Sequence, residues 1–391
     1  MDQCKKTTYL IIGAGIAGTT AAESIRSYDP DKHITLVTAE PYRAYSRVLL
    51  SKPGFFLEKI PFDRVWLKSS KWYSEQKIEY LTNKKAISLD CKKHLVTFED
   101  QTLIEYEKLL LATGGLPKKL EIPWSDKKNI YYLQTLDQAK EIIAATKTAK
   151  KAVVVGGGFI AFEMCSLFCE AGMHVDLITR RSHFWNSTLE TEGSLIIEQA
   201  MKNHGVTIYH ETEIESIIGN KQVEKIILTN KKEIPCDLLL VGIGMEFSLD
   251  WISKAGINTH GGIIANEFLQ TNEPNIWTAG DIAEFSDTLT GESLQYGNWV
   301  NAMRQGCYAG ACMAGQPMPA FSFISSYTSS GFGLTLGFAG CVKNGSNRII
   351  KCQNQKNQKW SQFFYKNNRL VGALFINQPE ELGKLIKKMK L

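Results

Sequence analysis

The stretch "YLIIGAGIAGTT" (residues 9–20) has the pattern of a dinucleotide-binding turn. An apolar strand comes before the turn, and a helical run over residues 16–28 follows it. Gly13 permits the tight turn, Gly15 lets a pyrophosphate approach the backbone, and Gly18 lets the helix pack closely on the strand. We therefore expect a pyrophosphate at the helix N-terminus, where free N–H groups and the helix dipole favour negative charge.

The next predicted strand, "HITLVTAE" (residues 33–40), completes a β-turn-α-β unit. It ends at Glu40, an acid that suits a ribose with free hydroxyls. The sequence therefore predicts that the first nucleotide contacts Gly13, Ala14, Gly15, Ile16, Ala17 and Glu40.

The same pattern returns in "VVVGGGFIAFEM" (residues 153–164), with Gly156, Gly158 and Ala161 at the three positions. A second strand, residues 174–180, follows this turn too. Two dinucleotide sites in one chain predict two cofactors that exchange electrons, one held tightly and the other exchanging with solution.

The strand after the second turn ends in Thr179, Arg180 and Arg181, where the first unit has an acid. Basic residues at this place can bind a 2′-phosphate, which favours NADPH over NADH. The alternatives are that the site takes either nucleotide, or that both arginines are simply exposed.

Length and composition predict a soluble protein of two or three domains, with 391 residues, 44% hydrophobic and 22% charged. No apolar run reaches the roughly 18 residues of a membrane span, and no signal-peptide cleavage pattern follows Lys6. We therefore expect a cytoplasmic protein without a membrane partner. Nine Cys with irregular spacing and no CxxC pair predict neither a disulfide framework nor a metal site.

The net charge of +5 is unevenly distributed along the chain. Residues 340–391 contain eleven Lys and Arg but only two Asp and Glu. This basic segment predicts either a docking face for an acidic partner or a Lys-rich solvated surface. No RNA- or DNA-binding motif accompanies the charge, so we expect no nucleic-acid partner.

Together with several further stretches, the two turns give the chain a resemblance that covers nearly its whole length. The chain resembles the FAD-dependent pyridine nucleotide-disulfide oxidoreductases, and within them the rubredoxin reductase, ferredoxin reductase and assimilatory nitrite reductase flavoprotein group. The further stretches are "EPYRAYSRVLLSK" (40–52), "LLLATGG" (109–115), "YLQTLDQA" (132–139), "CDLLLVGIG" (236–244), "LQTNEPNIWTAGDIAEF" (269–285) and "NWVNAMRQGCYAGACMAG" (298–315).

This resemblance implies an α/β fold with two Rossmann-like three-layer dinucleotide-binding domains and a small α+β C-terminal domain. The FAD domain would comprise residues 1–113 and 245–320. The NAD(P) domain, residues 114–244, would be inserted between these two segments. Residues 321–391 would form the C-terminal interface domain.

Local patterns add three predictions about the second half of the chain. "PNIWTAGDIAEF" (residues 274–285) predicts one strand, and Asn367–Asn368 predicts the turn of a hairpin. The last helix is expected over about residues 379–390.

The resemblance also implies residues for each cofactor. Beyond the first turn, those for FAD are Glu40, Arg47, Lys52, Ala112, Thr113, Gly114, Gly280, Asp281 and Trp299. Those for NAD(P) are Gly156, Gly158, Phe159, Ile160, Glu163, Thr179, Arg180, Arg181 and Gly244. For Phe159 and Trp299 the alternative is plain packing in the core.

Lys52 and Glu163 are the catalytic pair that the resemblance implies. In the family, the acid after the second turn points toward the flavin and nicotinamide and pairs with the lysine. A lysine there stabilises the negative charge that flavin gains on accepting a hydride. The acid keeps that lysine from being an unpaired buried charge. The alternative for Glu163 is an exposed acid on the helix.

A thiol relay is absent from the segment where relatives carry one. "EPYRAYSRVLLSKPGF" (residues 40–55) contains no Cys. Cys307 and Cys312 have CxxxxC spacing, but they lie in another segment and diverge on a helix. Cys165 and Cys169 are expected to be buried small apolar residues. Electrons must then leave the flavin directly.

We therefore expect an FAD flavoprotein that oxidises NAD(P)H and passes electrons to a small acidic carrier of the rubredoxin or ferredoxin type. One alternative is an NAD(P)H oxidase or peroxidase, or the flavoprotein component of a nitrite reductase. Another is a flavin-bearing protein that senses NAD(P)H. Assembly as a homodimer is left open.

Overall fold

The computed structural model describes residues 4–287, 290–342, 348–354 and 358–389. Contacts group the chain into two compact units. The first unit comprises Met1–Ser46, Asp63–Leu116 and Phe247–Ser325, and the second comprises Arg47–Phe62, Pro117–Glu246 and Ser326–Leu391. The division into an FAD, an NAD(P) and a C-terminal domain at the bounds given above stays a prediction.

A seven-stranded sheet forms the centre of the first unit. Its strand Ile34–Val37 is buried at all four positions, as expected for a parallel strand covered on both faces. In spatial order the strands are Ile78–Leu81, Ile34–Val37, Lys5–Ile12, Leu103–Leu111, Leu95–Phe98 and Ala86–Asp90, with Ile276–Thr278 beside Leu103–Leu111. The first four of these strands and Ile276–Thr278 run parallel, whereas the last two pair antiparallel.

The two long helices of the first unit, Ile16–Tyr28 and Trp299–Met313, pack against each other through a glycine. A Cβ on Gly306 would overlap the carbonyl oxygen of Ala17, so only glycine allows this close approach. The unit also contains the short helices Ser70–Glu75 and Asp250–Ser253 and a small sheet of Ile263–Ala265, Ala283–Ser286 and Ser293–Leu294.

The prediction of one strand over residues 274–285 is wrong. The structure has two short strands there, Ile276–Thr278 and Ala283–Ser286, which belong to different sheets. The break is at Gly280, whose φ of +86° ends the first strand in a turn. Its carbonyl accepts the N–H of Ala283 at 3.0 Å, which closes that turn.

A five-stranded, wholly parallel sheet forms the centre of the second unit. In spatial order its strands are Val206–Tyr209, His174–Ile178, Lys151–Val155, Leu238–Val241 and Ile130–Tyr131. The helices of this part of the unit are Leu136–Thr146, Phe159–Glu170 and Thr191–Asn203. A separate antiparallel sheet follows the last of these helices along the chain. It consists of the strands Ile214–Ile218, Lys225–Leu228 and Glu233–Pro235.

The C-terminal part of the second unit is an antiparallel sheet with one helix, Pro379–Met389, packed on it. In spatial order its strands are Ser326–Gly331, Leu334–Gly340, Arg369–Ile376, Lys359–Lys366 and Arg348–Asn354. The predicted hairpin is confirmed, because Asn367 and Asn368 both have positive φ and join two paired strands.

Five short elements complete the described secondary structure. They are the turns of helix Arg47–Ser51, Pro53–Phe56 and Phe62–Val65 and the short strands Leu116–Pro117 and Met245–Glu246. Within the described residues, no helix is both long and apolar enough to cross a membrane.

Candidate functional site

The first glycine turn leaves a helix N-terminus open for an anion. Gly15 is the N-cap of the helix Ile16–Tyr28, has no side chain to cap it, and is followed by no acid in the first turn. The first N–H groups of a helix have no partner within the helix, so they are available to a pyrophosphate. Gly13 has a φ of +108°, and a Cβ on it would overlap the carbonyl oxygen of Ala112.

The structure brings most predicted FAD residues of the first unit to one edge of its sheet. The carboxyl ends of parallel strands meet at the same edge, which is where open α/β sheets bind ligands. Four parallel strands end there, and the predicted residues follow them directly. They are Gly13–Ala17 after the first strand, Glu40 after the second, Ala112–Gly114 after Leu103–Leu111, and Gly280 and Asp281 after Ile276–Thr278.

Glu40 is half-buried, and a tyrosine orients its carboxylate. The hydroxyl of Tyr45 donates a hydrogen bond to Glu40 Oε2 at 2.5 Å. The N–H of Glu40 in turn donates to Thr38 Oγ1 at 3.2 Å. These contacts hold the acid at the end of its strand, which is compatible with the predicted contact to a ribose.

Two fully buried amides one turn apart on the helix Trp299–Met313, Asn301 and Gln305, test whether this part of the first unit suits FAD. Gln305 Oε1 accepts the N–H of Gly280 at 2.8 Å. Gln305 Nε2 and Asn301 Oδ1 have no hydrogen-bond partner among the described residues. A buried unpaired donor and acceptor are costly, so a polar atom from outside the chain, such as a water or a cofactor atom, would satisfy them. This part of the first unit therefore fits the predicted cofactor.

The remaining predicted FAD residues lie in two places. Trp299 is the first residue of the helix Trp299–Met313 and is half-buried. Arg47 and Lys52 belong to the second unit. Arg47 Nη1 donates to the carbonyl of Gln134 at 2.7 Å. Their contacts with FAD stay predictions.

The second glycine turn repeats the geometry of the first. Gly158 is the N-cap of the helix Phe159–Glu170, again without a capping side chain or an acid in the first turn. Gly156 has a φ of +133°, and a Cβ on it would overlap the carbonyl oxygen of Gly242. The second unit therefore offers its own anion site at the carboxyl edge of a parallel sheet.

The predicted nucleotide-specificity residues directly follow the neighbouring strand His174–Ile178, at this same edge of the sheet. Thr179 is buried, and its hydroxyl accepts the N–H of Arg181 at 3.3 Å. Arg180 and Arg181 are both exposed. Gly244 follows the strand Leu238–Val241 and is also exposed.

Phe159 packs among other aromatic residues of the second unit. Its ring meets Trp185 at 4.5 Å, Tyr327 at 4.6 Å and Phe338 at 4.8 Å between centroids, each edge to face. Such contacts favour the packing alternative for this residue. Ile160, the next residue, is 36% exposed.

Glu163 and Lys52 form an ion pair within the second unit. Lys52 Nζ donates to Glu163 Oε1 at 2.5 Å. Glu163 is only 8% exposed, so the alternative of an exposed helix acid is wrong. The pairing that the sequence analysis expects is present, whereas the catalytic roles of the two residues stay predictions.

Two serines that the sequence analysis does not single out also bind this carboxylate. The hydroxyl of Ser51 donates to Glu163 Oε2, and that of Ser329 donates to Oε1 at 2.7 Å. Ser51 is adjacent to Lys52, which is the only signal in the sequence that could have pointed to it. Ser329 lies far along the chain in a strand of the C-terminal sheet, and no motif marks it.

Seven cysteines of the described residues are free thiols: Cys4, Cys91, Cys165, Cys169, Cys236, Cys307 and Cys312. Cys165 is fully buried, as expected, whereas Cys169 is only half-buried. Burial raises the pKa of the Cys165 thiol well above the ordinary value. Burial also raises the pKa of Cys312, whereas Cys307 on the same helix is exposed. No group of three or more His, Cys, Asp or Glu side chains among these residues could hold a metal ion.

Comparison with known proteins shows the family of the chain. The chain matches the family model of the pyridine nucleotide-disulphide oxidoreductases over residues 7–306. It is 30% identical over 387 residues to the 3-phenylpropionate/cinnamic acid dioxygenase ferredoxin–NAD(+) reductase component of Photorhabdus laumondii, covering 98% of this chain and 96% of the relative. It is 26% identical over 383 residues to the rubredoxin–NAD(+) reductase of Pseudomonas putida, covering 98% and 99%.

Among solved structures, the crystal structure of the covalent putidaredoxin reductase–putidaredoxin complex matches with a TM-score of 0.93 and 25% sequence identity. The match covers 98% of this chain and 93% of the other. The expected fold class is confirmed, and so is the family that the resemblance implies. The chain belongs to the pyridine nucleotide-disulphide oxidoreductase family and is an NAD(P)H-dependent oxidoreductase, with FAD and NAD(H) as the cofactors that this family supports.

Proposed function

We propose that this chain oxidises NADH or NADPH through a bound FAD and passes the electrons to a small acidic redox protein of the ferredoxin or rubredoxin type. One observation carries the proposal. In each unit a parallel strand is followed by a glycine turn and by a helix whose N-terminus has no capping side chain, which supports one anion site for each dinucleotide. Relatives named as ferredoxin and rubredoxin reductases, covered over nearly their full length, support the choice of acceptor.

FAD, when bound, would accept a hydride from the nicotinamide and release electrons one at a time. The residues that would hold its pyrophosphate are the backbone N–H groups that follow Gly15. Glu40, oriented by Tyr45, would bind the ribose. Lys52 would stabilise the negative charge that develops during hydride transfer, since a fixed cation in a partly dry site acts strongly on such charge.

The state of the cysteines in the described residues supports a direct transfer of electrons from the flavin to a carrier. The segment that holds a redox Cys in many relatives has none here, and the Cys307 and Cys312 thiols are not bonded to each other. The C-terminal helix Pro379–Met389 buries Leu382 and Leu385, whereas its lysines face outward. That charge would attract an acidic carrier and speed its docking.

We further propose that NADPH is the preferred donor, with NADH as the second substrate. Arg180 and Arg181 are exposed at the carboxyl edge of the sheet, where a 2′-phosphate of a bound nucleotide would lie. Relatives named as NAD(+) reductases argue for NADH. The cytoplasmic location and the homodimer stay predictions.

The experiment that tests this function is a steady-state assay of the purified, FAD-loaded protein with NADPH or NADH. Reduction of an added ferredoxin or rubredoxin should be fast, while consumption of oxygen without a carrier should be slow. Rapid oxygen consumption that no carrier affects would instead identify an oxidase. Nucleotide-dependent change of oligomeric state without turnover would identify a sensing protein.

A further inference from the structure

Three separate segments of the second unit meet at one buried carboxylate. Glu163 lies on the helix Phe159–Glu170, and the two residues Ser51 and Lys52 lie at the end of a helical turn. Ser329 comes from a strand of the C-terminal sheet. The carboxylate accepts three hydrogen bonds, from Ser51 on Oε2 and from Lys52 and Ser329 on Oε1.

We propose that Ser51 and Ser329 are positioning residues that fix the Glu163 carboxylate so that Lys52 is held in one orientation. This inference rests on the proposed function, because it assigns the serines a role in the hydride-transfer step. The inference also predicts an energetic coupling between Ser329 and Glu163, which thermal unfolding measures without turnover. Neither serine would touch the substrate, since each acts through Glu163.

The hydroxyls constrain the carboxylate in a way that the ion pair alone does not. The terminal torsion of a glutamate is broad, so a carboxylate with one partner can rotate and exchange its two oxygens. Ser51 holds Oε2 while Ser329 holds Oε1, which fixes the plane of the group. Lys52 Nζ can donate three hydrogen bonds and makes one among the described residues, to Glu163 Oε1. Because this acceptor is fixed in place, the other two N–H groups of the ammonium keep a defined direction.

Burial explains why these two positions require hydroxyls. Glu163 is 8% exposed, Ser51 5% and Ser329 3%. A carboxylate removed from water is costly unless donors replace the lost hydration, and hydrogen bonds to a charged group are stronger than those between neutral groups. Alanine at either serine would leave a carboxylate oxygen with one donor fewer.

The strand that carries Ser329 is packed closely on the helix of Glu163. A Cβ on Gly331 would come within 2.9 Å of the Phe162 ring, so glycine is needed for this approach. The N–H of Phe332 donates to Ser166 Oγ at 3.1 Å and fixes the strand along the helix. Ser329 is the only buried residue of its strand, and its hydroxyl points toward the helix, where it donates to Glu163.

The test is a double-mutant cycle on the FAD-loaded protein, with S329A, E163A and both together. The limiting rate constant of flavin reduction is measured anaerobically, and the thermal unfolding midpoint is measured on the same samples. We expect S329A to lower the rate constant about tenfold, the loss of one hydrogen bond to a charged group. In the E163A background S329A should cause no further loss, and S51A should behave in the same way.

Two variants separate positioning from general destabilisation. S329T keeps the hydroxyl and should restore most of the rate. S194A removes a buried hydroxyl bound to the carbonyl of Phe184 elsewhere in the same unit, so it should lower the midpoint and leave the rate unchanged. An equal effect of S329A with and without Glu163, on rate or on midpoint, would overturn the inference.

The thermal unfolding midpoints test this inference separately from the proposed function. If neither nucleotide reduces the wild-type flavin, the proposed function fails. The cycle of unfolding midpoints then still decides whether Ser329 and Glu163 are coupled. Additive shifts in that cycle would refute the positioning contact, whatever the activity.

Discussion

At the scale of single residues, Glu163 is a position where burial and charge conflict, because this acid is only 8% exposed. Of the two acids on the helix Phe159–Glu170, Glu163 is buried and Glu170 is exposed. Buried carboxylates persist in proteins when donors surround them, and Glu163 has three. Such an arrangement differs from that of an exposed acid on a helix surface.

Replacement of Glu163 by alanine should slow flavin reduction and leave FAD bound. Lys52 would lose its only acceptor among the described residues and with it a fixed orientation. We expect the limiting rate constant to fall by about ten- to hundredfold, which corresponds to the loss of one hydrogen bond between charged groups. Anaerobic stopped-flow absorption at the flavin band measures this constant. E170A is the matched control, and equal rates in wild type and E163A would refute the assigned role.

Reversal of charge at Arg180 should move nucleotide preference from NADPH toward NADH. A glutamate there would repel a 2′-phosphate, whereas a nucleotide with a free hydroxyl is affected less. We expect the NADPH-to-NADH ratio of kcat/KM to fall by about tenfold or more, since one charge-assisted contact is lost and a repulsion gained.

K151E is the matched control for that substitution. Lys151 is exposed at the amino end of the strand Lys151–Val155, away from the carboxyl edge. It should leave the ratio as it is. A ratio that also stays constant in R180E would mean that the arginine is exposed without a role in specificity.

At the scale of elements, the two glycine turns are where local sequence and structure agree best. Strand, turn and helix are adjacent in sequence, so the pattern contains most of the residues that form them, although Gly13 and Gly156 also lie against the distant carbonyls of Ala112 and Gly242. The prediction of one strand over residues 274–285 is wrong because the apolar pattern does not show that Gly280 adopts a positive φ. Ser329 could not be found from sequence, because its bond to Glu163 joins segments that only the folded C-terminal sheet brings together.

Substitution of Gly156 by alanine should destabilise the second unit and abolish nucleotide binding there. The φ of +133° disfavours any side chain, and the new Cβ would overlap the carbonyl oxygen of Gly242. We expect a loss of about 1–3 kcal/mol in the free energy of unfolding, as for other overpacked sites.

G158A is the matched control, because a Cβ there meets no atom within 4 Å and the backbone is extended. Thermal or urea unfolding of both variants measures the difference. Equal stability of G156A and wild type would contradict the described turn.

At the scale of the whole molecule, positive charge is concentrated in residues 340–391, which contain nine more positively than negatively charged residues. The described part of that segment places Lys384, Lys387 and Lys388 on the exposed face of the helix Pro379–Met389. The sequence predicts the helix and contains the charge. It does not decide between a docking face and a solvated surface, because that choice depends on the partner.

Reversal of charge at Lys387 and Lys388 should weaken the reaction with an acidic carrier. We expect kcat/KM for the carrier to fall about tenfold at low salt, with a smaller difference at high salt, because screening removes the attraction. Ferricyanide, a small acceptor that needs no docking face, should be reduced at the wild-type rate. If the carrier reaction is unchanged at low salt, this helix is only a solvated surface.

The most direct test of the account is anaerobic reduction of the FAD-loaded protein followed by addition of an oxidised carrier. The account predicts that NADPH, and to a lesser extent NADH, bleaches the flavin within one turnover. It also predicts that an oxidised ferredoxin or rubredoxin restores the flavin spectrum without oxygen. A protein that binds no FAD, or a reduced flavin that the carrier leaves bleached while oxygen restores it at once, would contradict the central claim.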